Sequence, residues 1–166
     1  NTAGIGEIAA VLNRPIPKTT RHGKGFVGQL IESALGADPR AYDRPDFPDL
    51  GVELKTLPVN ADGSVRESTF CCSVAMAHVD EEHWETSRLR TRIACVLWIP
   101  IVSDRPITSR VVGKALLWRP SKDEEAQLRD DWEHLVGAIA TGKGTTAHEG
   151  RWLQWRPKGK NSRDRT

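Results

Sequence analysis

Apolar positions recur at helical spacing near the start of the chain, where Ile5, Ile8, Ala9 and Leu12 in "GIGEIAAVLN" fall on one face of a short helix. Pro15 and Pro17 end that helix. In "GKGFVGQLIESALG", Phe26, Val27, Leu30, Ile31, Ala34 and Leu35 share one broad face, which predicts a second helix with Gly36 as its stop. "ADPRAYDRPDFPDLG" is punctuated by three prolines and reads as loop. The period then changes to two. "VELKTLPV" alternates as a strand, with Val52 and Leu54 on one face and Glu53 and Lys55 on the other.

Three more strands are predicted: "STFCCSVA", the wholly apolar "ACVLWIPIV" and "RVVGKALLW". The segment "DEEHWETSRLRTRI" between the first two reads as a helix marked by Trp84, Leu89 and Ile93. Ser121 and Glu124 form a capping box at the head of a long helix. Its buried stripe is Ala126, Leu128, Trp132, Leu135, Val136 and Ile139, and Gly142 closes it. "RWLQWR" predicts a last short strand. Helices, then a mixed sheet, then helix and strand predict a single α/β domain over the 166 residues.

Composition narrows the function classes. The longest apolar run, nine residues at 94–102, falls far short of the ~20 needed to span a bilayer, and no signal peptide is visible. Three cysteines, an odd number with two in apolar runs, predict reduced, buried thiols and a cytoplasmic protein. The net charge is only +2, yet it is uneven: Arg14, Lys18, Arg21 and Lys24 lie together without an acid. Six basic residues against one acid occupy 151–166. Such segments suit a phosphate backbone, or equally a pair of solvated loops.

The candidate chemistry lies in "RPDFPDLGVELKT". Asp46 arrives on a backbone stiffened by Pro45 and Pro48 and turned at Gly51, and Glu53 and Lys55 follow on one strand face. Two rigidly held carboxylates can share a hard divalent ion, and a lysine beside them can orient a water or neutralise a phosphate oxygen. Spacing alone favours the plainer reading, a turn followed by a wet strand. Other patterns carry less. "GAIATGKG" lacks the Ser/Thr of a P-loop and follows a helix. Cys71, Cys72, His78 and His83 lack zinc-ligand spacing. Trp152 and Trp155 are read as core in preference to base-stacking residues.

Pro45-Asp46 followed by Glu53-Leu54-Lys55 matches the PD-(D/E)xK pattern, and "KGFVGQLIESALG", "DFPDLGVELKTLPV", "WETSRLRTRI", "VLWIPI", "VVGKALLW", "QLRDDWEHLV" and "LQWRPK" follow in order. With these segments the chain resembles the MutH family of restriction-endonuclease-like nucleases, the strand-nicking enzymes of methyl-directed mismatch repair, and their GATC-cleaving restriction relatives. The resemblance implies a mixed β-sheet flanked by helices. It implies a DNA endonuclease using one or two Mg²⁺ ions, with Mn²⁺ or Ca²⁺ able to substitute. Glu32, Asp46, Glu53 and the Leu54 carbonyl match the metal ligands, and Lys55 matches the motif lysine. Arg92 stands where the family has another active-site lysine, keeping charge but not the capacity for proton transfer. Lys24, Arg156 and Lys158 match DNA-contacting positions.

The implied partners are double-stranded DNA and MutL, with MutS acting upstream, and a free monomer with no membrane association. The family continues beyond "RPK" with a segment used in sensing adenine methylation, which this chain does not include. Three alternatives stay open: a type II restriction endonuclease cutting GATC, a catalytically weak DNA-binding module of the same fold, and a hydrolase of small phosphate esters.

Overall fold

A computed structural model describes residues 3–17, 25–41, 43–74, 79–143 and 149–156. The chain divides into two compact units, one formed by Asn1–Cys71 with Thr91–Arg119 and the other by Cys72–Arg90 with Pro120–Thr166.

The first unit is built on a four-stranded mixed sheet. Helix α1 (Ile5–Val11) and helix α2 (Phe26–Leu35) form where the 3.6-residue period predicts them. Gly36 ends α2 in the left-handed region, at φ 73°. Strand β1 (Glu53–Val59) pairs in parallel with the central strand β2 (Val96–Val102), Glu53 opposite Val96 and Lys55 opposite Trp98. Strands β3 (Val111–Val112) and β4 (Leu116–Trp118) add antiparallel to β2. Leu54, Ile99 and Ile101 on one sheet face bury against Ile5, Ala9, Phe26, Val27, Leu30 and Ile31 of α1 and α2. Burial of that apolar area is the main term holding the layers together. The architecture is the α/β class expected, a mixed sheet flanked by helices.

The second unit centres on helix α4 (Lys122–Ala140). Its capping box is formed as read: Glu124 N donates to Ser121 Oγ at 3.3 Å and Ser121 N donates to Glu124 Oε2 at 2.7 Å. Leu128, Trp132, Leu135 and Val136 are buried. The Trp132 ring meets Trp84 at a centroid distance of 6.1 Å and an interplanar angle of 60°, a tilted packing favoured by the ring quadrupoles.

Four expectations need correction. Residues 68–74 are not a strand. The helix expected over 80–93 is instead two 3₁₀ turns (Val79–Glu81 and Trp84–Thr86) and a short helix α3 (Arg88–Ile93). Ser87 restarts the chain there, its hydroxyl accepting from Arg90 N at 3.1 Å as an N-cap does. "RVVGKALLW" breaks into β3 and β4 at Gly113, whose N–H donates to Pro100 O at 2.7 Å. Residues 151–156 are irregular, because Trp152 and Leu153 give their N–H groups to the Asp131 side chain and not to a neighbouring strand. Among the described residues, no helix is long and apolar enough to cross a membrane.

Candidate active site

The turn before β1 creates the site. Pro48–Leu50 winds one 3₁₀ turn, and Gly51 closes it at φ 63°, a conformation that suits glycine. Phe47 then pairs back on Val52, its N–H donating to Val52 O at 2.9 Å. This folds Asp46 alongside the start of β1. Along that strand, Glu53 N donates to Cys95 O at 2.9 Å, on the β2 side. The next N–H, of Leu54, therefore points to the opposite edge, and Asp46 Oδ2 accepts it at 2.8 Å. The Leu54 carbonyl lies on that same edge, as strand geometry requires.

Glu53 overturns the wet-strand reading, for it is only 1% exposed. A buried carboxylate needs compensating partners, and it has two cations. Lys55 Nζ donates to Oε1 at 2.6 Å. Arg92, carried by α3, places Nη1 at 2.8 Å from both carboxylate oxygens. Its Nη2 donates to the Ala41 carbonyl at 3.1 Å, which anchors the guanidinium. The same Nη1 lies 4.0 Å from Asp46 Oδ1. Arg92 thus stands between the two acids of the motif.

Glu32 arrives from α2, on the other face of the sheet. A Cβ built on Gly28 would lie 3.6 Å from Thr56 Oγ1 and 3.9 Å from Glu32 Oε1, so α2 comes close to β1 near this carboxylate. Burial raises the Glu32 carboxyl above its ordinary range, and the negative charges of Asp46 and Glu53 add to this against the opposing Lys55. Asp46 is also raised. Burial and the Glu53 charge outweigh the Leu54 N–H, Lys55 and Arg92, which favour ionisation. Three carboxylates therefore answer to one electrostatic field with two cations in it, an excess of negative charge.

A hard divalent ion suits this donor set of carboxylates and one strand-edge carbonyl. Among the described residues no three acid, His or Cys side chains are drawn together as a ready-made metal cluster. The oxygens of Glu53 face Arg92 and Lys55 instead.

Of the other expected site residues, Arg156 is exposed in the second unit, where Nη2 donates to Gln154 Oε1 at 2.7 Å. Lys24 and Lys158 lie outside the described residues, as does His78 of the rejected zinc set. Trp152 corrects the core expectation, being 45% exposed. None of the three cysteines is in a disulfide; Cys95 is buried as expected, whereas Cys71 and Cys72 are only half-buried because their segment is not a sheet strand. Burial pushes the Cys71 thiol up, though it feels Lys55 as well as Glu53, so it stays a weak nucleophile. One contributor had no usable signal in the sequence, the Ala41 carbonyl, which holds Arg92 from 51 residues away.

Comparison with known proteins shows the family to which the chain belongs. The model of the family described as "DNA mismatch repair enzyme MutH" matches residues 35–131, which include Asp46, Glu53, Lys55 and Arg92. The DNA mismatch repair protein MutH of Haemophilus influenzae is 44% identical over 163 residues, 96% of this chain and 73% of its own. That of Haemophilus ducreyi is 44% identical over 161 residues, covering 95% and 71%. That of Histophilus somni is 45% identical over 163 residues, covering 96% and 73%. The chain is a DNA endonuclease of restriction-endonuclease-like fold, and it belongs to the MutH family of DNA mismatch repair enzymes.

Proposed function

We propose that the chain is a Mg²⁺-dependent endonuclease that nicks the unmethylated strand of duplex DNA at hemimethylated GATC sites, with MutL as its activator. The observation that carries the catalytic part is the strand edge itself: Glu53 buried, Asp46 fastened to Leu54 N, and Lys55 within hydrogen-bond reach of Glu53. GATC specificity, methylation dependence and the MutL partner rest on the family membership.

Asp46, Glu53 and the Leu54 carbonyl would hold the ion, with Glu32 completing its surroundings. When bound, the ion supplies Lewis-acid polarisation of a phosphate oxygen and a more acidic water. The chain's own groups do the rest. Lys55 orients the attacking water and, as a cation, lowers the cost of charge developing on the phosphate. Arg92 contributes positive charge without exchanging a proton. It also competes for Glu53, since the carboxylate must turn part of its hydrogen-bonding capacity from Arg92 toward the ion. That competition favours a weak basal activity, and it supports a second reading, a DNA-binding module of low turnover.

The deciding experiment is nicking of unmethylated, hemimethylated and fully methylated GATC plasmids, with and without MutL. Mg²⁺-dependent nicking confined to unmethylated strands and stimulated by MutL is the expected result. Unaided cutting of both strands would move the assignment to a restriction enzyme. Salt-sensitive binding with no cleavage under any condition would move it to the binding module.

A further inference from the structure

The second unit contains a buried carboxylate that the proposed chemistry does not use. Asp131 sits on the inner face of α4, three residues after Leu128 and one before Trp132, and is only 6% exposed. An ionised group in that position is costly unless donors surround it. Its Oδ2 accepts from Trp152 N at 2.6 Å and from Leu153 N at 2.9 Å, and its Oδ1 accepts from Gln127 Nε2 at 3.0 Å. Burial alone would raise this carboxyl. The N–H groups of Leu153, Trp152 and Arg151, with Gln127, outweigh burial and hold it below the ordinary range.

The turn so gripped is closed as far as it can be. A Cβ on Gly150 would lie 2.2 Å from the Leu153 carbonyl oxygen and 3.3 Å from Asp131 Cγ, so only glycine fits. Gln127 adds a second tie, its Oε1 accepting from Arg151 Nη1 at 3.4 Å. What this clamp presents outward is mainly basic and aromatic: Arg151, Trp152 and Arg156 are exposed, with the Gln154 amide among them. Exposed arginines beside an exposed tryptophan are the chemistry of a nucleic-acid surface, cation for phosphate or guanine and ring for a base or sugar.

We infer that Asp131 is a positioning residue for DNA recognition, fastening the 150–153 turn to α4 so that residues 151–156 meet the duplex in one fixed conformation. This rests on the proposed duplex-DNA substrate and on the family resemblance that matches Arg156 to a DNA-contacting position. Without the clamp the same side chains remain but must be ordered at the moment of binding. Base discrimination then suffers more than simple phosphate attraction does.

The test is fluorescence anisotropy in Ca²⁺, comparing a GATC duplex with one carrying a single base change, for wild type, Asp131→Asn, Gly150→Ala and Arg156→Ala. Asparagine keeps the shape but loses the charge that three donors need. Alanine at 150 forces the turn open from the loop side, chiefly against the Leu153 carbonyl, and leaves every α4 residue in place, which covers the case of an Asp131 variant that fails to fold. The expected result is a drop of about ten-fold in the affinity ratio between the two duplexes for either clamp variant. Ca²⁺ binding measured by calorimetry without DNA should stay at the wild-type value. An unchanged ratio in both clamp variants, with Arg156→Ala lowering it, overturns the inference and leaves the proposed function standing. An unchanged ratio in all three variants overturns both. A merely structural role for Asp131 would lower melting temperature and leave the ratio intact, which also overturns the inference.

Discussion

Removing the Glu53 carboxylate would take from the Arg92 guanidinium, its side chain 11% exposed, the partner that meets it at 2.8 Å. Breaking a buried ion pair from one side costs about 3–5 kcal/mol, so Glu53→Ala should lower stability by that order in urea denaturation and bring nicking to background. Lys55→Ala should abolish nicking with a much smaller loss of stability, because Arg92 still holds Glu53. Arg92→Lys separates charge from shape. If the guanidinium acts only as a cation, the lysine variant should keep nicking within about ten-fold of wild type while Arg92→Ala loses more, since a factor of ten is about 1.4 kcal/mol of transition-state stabilisation. Acid titration gives an independent check. Glu32 and Asp46 have raised pKa values, so above the ordinary carboxylate range the folded chain holds protons that the unfolded chain has released. Stability of the metal-free protein should therefore fall as pH rises through that window, and Asp46→Asn should flatten the fall. Asp131 has the opposite sign. Its contribution is present above the ordinary carboxylate value and is lost as pH falls through the depressed one.

At the scale of elements, α4 begins on the Ser121–Glu124 capping box. Ser121→Ala should cost about 1 kcal/mol, visible as faster amide exchange in the first turn with the Asp131 clamp unaffected. That box was legible in the sequence because a cap depends on local spacing. The same holds for α1, α2 and β1, whose periods are clean, and for β2, whose unbroken apolar run marks a central strand. The misread elements were decided by partners distant in sequence. Residues 151–156 alternate like a strand, but Asp131 claims the N–H groups that pairing would use. Asp131 itself did leave a signal, an acid set three residues after Leu128 within an otherwise apolar stripe. In the active site, Asp46, Glu53 and Lys55 were legible as a motif. The burial of Glu53 was not, because it depends on Arg92 and Ala41 arriving from elsewhere in the chain.

For the molecule as a whole, the modest net charge of +2 hides local concentrations of basic residues. Duplex affinity should fall steeply with added salt as phosphate contacts are screened and counterions return. Discrimination between sequences should change less, since base contacts carry it. The acids that would hold the ion belong to the first unit and the Asp131 clamp to the second. Variants of one should therefore leave the binding signature of the other intact, metal affinity on one side and base discrimination on the other. On the proposed function, the Asp46–Glu53–Lys55 edge cuts DNA with a divalent ion. Its most direct test is Mg²⁺-dependent nicking of a supercoiled GATC plasmid by wild-type and Lys55→Ala protein in the presence of MutL. Nicked circles are expected from the wild type, none with chelator, and none from the variant. Equal nicking by the variant, or by wild type with chelator present, would contradict it.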